Sequence, residues 1–194
     1  MTLSRLENIV RERMSTIKDT AHSYEHVERV CNIAAMLAEK ENADPELVQL
    51  GSLLHDIGHA IGEPHNETGA ELAREILEEM NYPPEKIEKV TKIVLRHRQS
   101  LSQMLESVEE RIVWDADKID LTGVTGVLRA FHWAGAMEIP FLEEVEWCRE
   151  RETEFYGLFK TETAKKIAKR RYENMMHFLK VLEDELSLTD LTVE

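Results

Sequence analysis

The chain is poor in several things, and each shortage removes a class of explanation. Its 194 residues include only two cysteines. Cys31 and Cys148 have no CxxC spacing, so neither a disulfide framework nor a zinc ribbon is indicated. Only eight glycines and five prolines occur, which favours helices over a turn-rich sheet. Lys and Arg number 24 against 38 Asp and Glu, for a formal net charge of −14. Nucleic-acid binding needs basic side chains to neutralise phosphates, so none is expected. No apolar run approaches the length of a membrane span. The opening residues Met1-Thr2-Leu3-Ser4-Arg5 lack the apolar core of a signal peptide, and the expectation is a soluble, cytoplasmic chain with reduced thiols. Neither a GxSxG nucleophile motif nor a Walker-type loop is present, which argues against acyl-enzyme and P-loop chemistry.

What is present is helical periodicity nearly throughout, with 42% hydrophobic residues to build a core. The pattern predicts one all-α domain. Leu3, Leu6, Val10, Met14 and Ile17 share one side of a helix over 3–18. Val27, Val30, Ala34 and Leu37 stripe a second, from about 23 to 41. Asp44-Pro45 reads as an N-cap with proline at the first helical position of a third, which runs to His55-Asp56. Further helices are expected from about 65 to 80, 84 to 97, 108 to beyond Asp120, 141 to 156 and 162 to 186. A polar loop is expected over 98–107. The last helix carries Lys and Arg early and Glu late, against its dipole, so packing is expected to hold it.

One stretch stands out: Leu53-Leu54-His55-Asp56-Ile57-Gly58-His59. It carries adjacent imidazole and carboxylate groups out of an apolar helix, where an unpaired charge is expensive. Such groups suit a borderline or hard divalent cation. On the residues alone, the pair is either half of a metal site or a polar pair at a loop entrance. His26 and Asp117 lie within or beside other apolar helical segments and are the candidates to complete such a site.

Together, His26, His55-Asp56 and Asp117 form an H…HD…D pattern that resembles the HD-domain metal-dependent phosphohydrolase superfamily. The local contexts are similar too: Ala21-His22-Ser23-Tyr24-Glu25-His26-Val27-Glu28-Arg29-Val30, then His55-Asp56-Ile57-Gly58, then Asp115-Ala116-Asp117-Lys118-Ile119-Asp120. The resemblance spans about residues 20–135. It implies a single HD-domain helical bundle over 1–194, with C-terminal helices at about 141–186 as an extension.

The resemblance also implies that His26, His55, Asp56 and Asp117 bind one divalent metal ion (Mn, Mg, Fe, Ni, Co or Zn). His65 and His97 match positions that hold a second ion in two-metal members or that meet phosphate; otherwise they are solvated helix-end residues. Asp56, His59, Lys118 and Asp120 are the candidates for catalytic roles, with Glu63 a farther acidic group. His22 shares a helical face with His26. Arg96 and Arg98 are either phosphate clamps or solvated charges. The implied reaction is hydrolysis of a phosphate ester or nucleotide through a metal-activated water. The alternatives are a di-iron oxygenase and a non-catalytic nucleotide-binding module. No GYP signature follows the HD pair, which argues against the cyclic-dinucleotide branch. The expected partner is a small-molecule phosphate, with no nucleic acid and no membrane; homodimer formation is left open.

Overall fold

The computed structural model describes residues 2–17, 20–155 and 157–191. Among the described residues every regular element is helical, as the periodicity predicts. No helix among them is long and apolar enough to cross a membrane. The chain separates into two compact units, Met1–Asp117 and Lys118–Glu194.

The first unit contains α1 (Thr2–Met14), α2 (Tyr24–Glu41), α3 (Pro45–Leu54), α4 (His65–Glu79), α5 (Pro84–Arg96) and most of α6 (Val108–Asp120). Short 3-10 turns at Thr20–His22, Ile57–Ala60 and Gln99–Leu101 join them. Leu6, Val10 and Met14 of α1, Leu50, Leu53 and Leu54 of α3, Ala73 and Leu77 of α4, and Val90 and Val94 of α5 form one buried core. Their i, i+3, i+4 spacing places them on single faces, and burial of each large side chain contributes about 1.5–3 kcal/mol.

Local chemistry sets the boundaries. Asp44 caps α3 as expected, its carboxylate accepting from the N–H groups of Glu46 and Leu47. The first helix stops at Met14 and not near residue 18. Ser15 Oγ and Thr16 Oγ1 instead donate to the carbonyls of Glu12 and Arg13, a local alternative that Ser and Thr offer at helix ends. Residues 18 and 19 lie outside the described residues.

Gly58 explains why the HD pair is followed by glycine. A Cβ there would lie 1.9 Å from the His65 carbonyl oxygen and 2.7 Å from the Gly69 nitrogen. The 3-10 turn after α3 therefore lies directly against the first turns of α4. That approach brings His65 beside the residues at the end of α3.

The second unit begins within α6 and contains α7 (Gly123–Ala136), α8 (Phe141–Phe155) and α9 (Glu162–Leu186). Its core gathers Val127, Ala130, Cys148, Met175 and Leu179, with Phe131 and Phe178 packed against it. Ala164, Ala168, Met175 and Leu179 are the buried stripe of α9, so packing does hold this unfavourably charged helix.

Candidate metal centre

The first unit brings seven of the sequence-predicted residues together: His26, His55, Asp56, His59, His65, His97 and Asp117. His26 is in the first turn of α2, His55 follows the last residue of α3, and Asp117 lies near the end of α6. Asp56 immediately precedes the 3-10 turn and His59 lies within it, His65 opens α4 and His97 follows α5. His26, His55, Asp56, His97 and Asp117 are all buried.

Asp56 lies at the middle. Its Oδ2 is 3.4 Å from His26 Nε2 and 3.3 Å from His55 Nε2. Its Oδ1 is 3.3 Å from His97 Nε2 and 3.8 Å from His59 Nε2. His26 Nε2 is also 3.4 Å from Asp117 Oδ1. Thus one carboxylate faces two groups of candidate ligands. His26, His55 and Asp117 offer atoms that lie within 4.8 Å of one another, and so do Asp56, His65 and His97.

Hydrogen bonds fix the protons on three of these rings. His55 Nδ1 is 2.7 Å from the Ser52 carbonyl, and His97 Nδ1 is 2.6 Å from that of Val94. A carbonyl only accepts, so both Nδ1 atoms carry hydrogen, and in a neutral ring Nε2 keeps its lone pair. The same holds for His65, whose Nδ1 is 2.9 Å from Glu63 Oε1. Yet His65 Nε2 is 3.2 Å from His97 Nε2. Neutral imidazoles in these tautomers turn lone pairs towards one another, an arrangement that needs a proton or a metal cation between them. On the other side of Asp56, His55 Nε2 faces His26 Nε2 at 3.3 Å.

The separations suit a metal. Two nitrogens bound to one ion at about 2.1 Å, at right to tetrahedral angles, lie roughly 3.0–3.4 Å apart. The ring planes cooperate, crossing at 73° for His26 and His55 and at 50° for His65 and His97. Asp56 adds the charge: among the described ion pairs it meets only histidines, so no Lys or Arg cancels its buried carboxylate. Burial pushes the Asp56 carboxyl up, but the neighbouring imidazoles of His55, His26 and His97 hold it well below the usual carboxylate range. The residues present therefore fit a divalent cation on each side of Asp56.

His59 behaves differently. Its ring stacks between those of His22 and His65, with centroids at 4.1 and 4.0 Å and planes within 20° and 18° of parallel. Atoms of His22, Asp56 and His59 also lie within 4.8 Å of one another, as do those of His59, Glu63 and His65. Face-stacked rings nevertheless cannot both aim an in-plane lone pair at one ion. The column instead holds His59 Nε2, which is buried and without a hydrogen-bond partner, towards Asp56. Burial, with charge repulsion from His22 and His65, pulls the His59 imidazole down to about 4 despite Asp56. The ring is neutral at pH 7.

The two arginines beside His97 part company. Arg96 is engaged by Glu106 and by both carboxylate oxygens of the buried Glu110. Arg98 is more exposed and makes longer contacts, 3.4 Å each, to Glu63 Oε2 and Asn66 Oδ1. Asn66 is buried, and its Nδ2 donates to the Leu95 carbonyl. Asn66 is not among the residues the sequence singles out; its only signal there is a polar residue on the inner side of α4. Lys118 and Asp120 fall in the second unit. Both are buried, and Asp120 Oδ2 accepts from Arg129 at 2.9 Å.

Comparison with known proteins gives the chain its relatives. It is 28% identical to the Bacillus subtilis protein YpgQ over 182 residues, 88% of this chain and 87% of that protein. A bifunctional uridylyltransferase/uridylyl-removing enzyme of Mycobacterium tuberculosis is 36% identical over 83 residues, 41% of this chain but only 10% of that enzyme. A crystal structure of Bacillus subtilis YpgQ in complex with ADP superposes with a TM-score of 0.80 at 23% identity, covering 94% of this chain and 97% of that one. A predicted HD superfamily hydrolase from an uncultured Thermotogales bacterium gives a TM-score of 0.73 at 28% identity, covering 94% and 92%. The model of the HD domain matches residues 23–122, more than half of the chain, and the chain belongs to the HD domain family.

Proposed function

We propose that the protein is a metal-dependent phosphohydrolase acting on a nucleotide or a similar small phosphate ester. One observation carries this reading: imidazole nitrogens converge in pairs on both sides of the buried Asp56 carboxylate, with no Lys or Arg among its described ion pairs. In this reading His26, His55, Asp56 and Asp117 hold one divalent cation, and Asp56, His65 and His97 hold a second. A cation so bound supplies Lewis acidity, acidifying a water and offsetting charge on phosphate oxygens.

The remaining residues divide the work. His55 and His97 keep their orientation through Ser52 and Val94, so Nε2 need not reorganise on binding. His59 is neutral at pH 7 and presents Nε2 at the edge of the site, where it takes a proton from the attacking water. Arg98, held only by long contacts, turns to the substrate phosphate. Arg96 remains with Glu110. A nucleotide substrate is favoured by the relative YpgQ, which was crystallised with ADP.

The test is a panel of nucleoside mono-, di- and triphosphates and generic phosphate esters, each assayed with magnesium, manganese, nickel, cobalt, iron and zinc. Release of phosphate or pyrophosphate that stops on chelation is the expected result. Tight nucleotide binding with no turnover under any metal overturns the reading in favour of a binding module. Dioxygen consumption by the iron-loaded protein, without phosphate release, overturns it in favour of an oxygenase.

A further inference from the structure

We propose that Glu63 is a positioning residue for His65, fixing the tautomer and ring orientation that turn Nε2 towards the second cation. The inference rests on the two-cation reading above.

It follows from where each histidine stands on its helix. His55 and His97 close helices, so a carbonyl three residues back, Ser52 or Val94, is available to Nδ1. Such carbonyls come with any helix end. His65 opens α4 and has no preceding helical turn to offer one. A side chain must do the same work, and Glu63 does it. Its Oε1 accepts from His65 Nδ1 at 2.9 Å, while Oε2 accepts from the His65 backbone N–H at 3.3 Å. That backbone group is one of the orphan donors at a helix start, where a carboxylate also suits the helix dipole. Arg98 Nη1, 3.4 Å from Glu63 Oε2, adds a counter-charge.

Without Glu63 the His65 ring is free to carry its proton on Nε2. That proton would face His97 Nε2, 3.2 Å away, and block the position a cation would occupy. Orienting partners of metal-bound histidines affect affinity by about 10- to 100-fold. Glu63 is 63% exposed, so the lower end of that range is expected.

The test uses the full chain and two readouts. Nitrogen-15 NMR of the metal-free protein reports the His65 tautomer. Calorimetric titration with manganese(II) reports the number of ions and the affinity of each. Wild type shows hydrogen on His65 Nδ1 and takes up two ions. In Glu63→Ala the proton moves at least partly to Nε2, and the second ion binds about tenfold more weakly with the first unchanged. Glu63→Gln, whose amide oxygen still accepts, recovers most of both effects. An unchanged tautomer or an unchanged second affinity in Glu63→Ala overturns the proposal, as does a Gln variant no better than Ala. A single ion in wild type refutes the two-cation reading itself, and this proposal falls with it. Two ions in wild type with no change in Glu63→Ala refute the positioning role alone.

Discussion

The two sides of Asp56 are built to different standards. On one, His26, His55 and Asp117 are all buried, drawn from α2, the end of α3 and α6. On the other, His97 is buried but His65 is partly open, held by an exposed carboxylate at the start of a helix. The first group lies deep among packed helices. The second depends on one close approach between a 3-10 turn and α4. Under the proposed two-cation reading, the contrast predicts unequal affinities, with a tightly held ion on the His26 side and a more exchangeable one on the His65 side.

The largest expected perturbation short of removing Asp56 is Gly58→Ala. The added Cβ meets the His65 carbonyl, so the turn and α4 must part. Overpacking against backbone is expected to cost about 2–4 kcal/mol, read by denaturant unfolding. The contrast sharpens if the ion on the His65 side is lost first, and breaks if both ions weaken equally. Next comes His97→Ala, which under the proposed function removes a ligand of the second group only. Metal analysis should find one ion per chain, whereas His26→Ala should lose the tighter one.

Arg96 and Arg98 form a smaller test of the same kind. Arg96→Ala leaves the buried Glu110 without its guanidinium and should cost about 1–3 kcal/mol of stability. Under the proposed function Arg98→Ala should leave stability nearly unchanged and raise KM for the phosphate substrate about tenfold, as expected for one charge-assisted contact. The smallest effect concerns Cys31. Burial, chiefly, pushes its thiol up to about 11, so it stays protonated at pH 8. Alkylation there should be slow in the folded protein and fast after unfolding.

The same residues separate what local sequence signals disclose from what only tertiary packing creates. Helix positions are legible because apolar spacing and caps such as Asp44-Pro45 are local signals. The end of α1 is not, because the side chains of Ser15 and Thr16 compete with the helix in a way spacing does not reveal. His26, His55, Asp56 and Asp117 are singled out by ordered motifs, and the fold gathers them. What holds their rings is illegible. Ser52 and Val94 act through backbone carbonyls that any residue would supply. Arg96 and Arg98 look equivalent in the chain because their directions depend on where α5 ends. The stack of His22, His59 and His65 joins three segments that are separate in the chain and adjacent only once the helices pack.

The most direct measurement of the central claim is metal content and turnover determined on the same samples of wild type and Asp56→Ala, each loaded with manganese(II) and freed of excess. Shared by both groups, Asp56 should matter to both ions at once. The account predicts two ions per wild-type chain. In Asp56→Ala it predicts neither ion, near-native helicity by circular dichroism, and phosphate release lower by about three orders of magnitude. An Asp56→Ala protein that is metal-free yet turns over substrate at the wild-type rate, or that retains both ions, would contradict it.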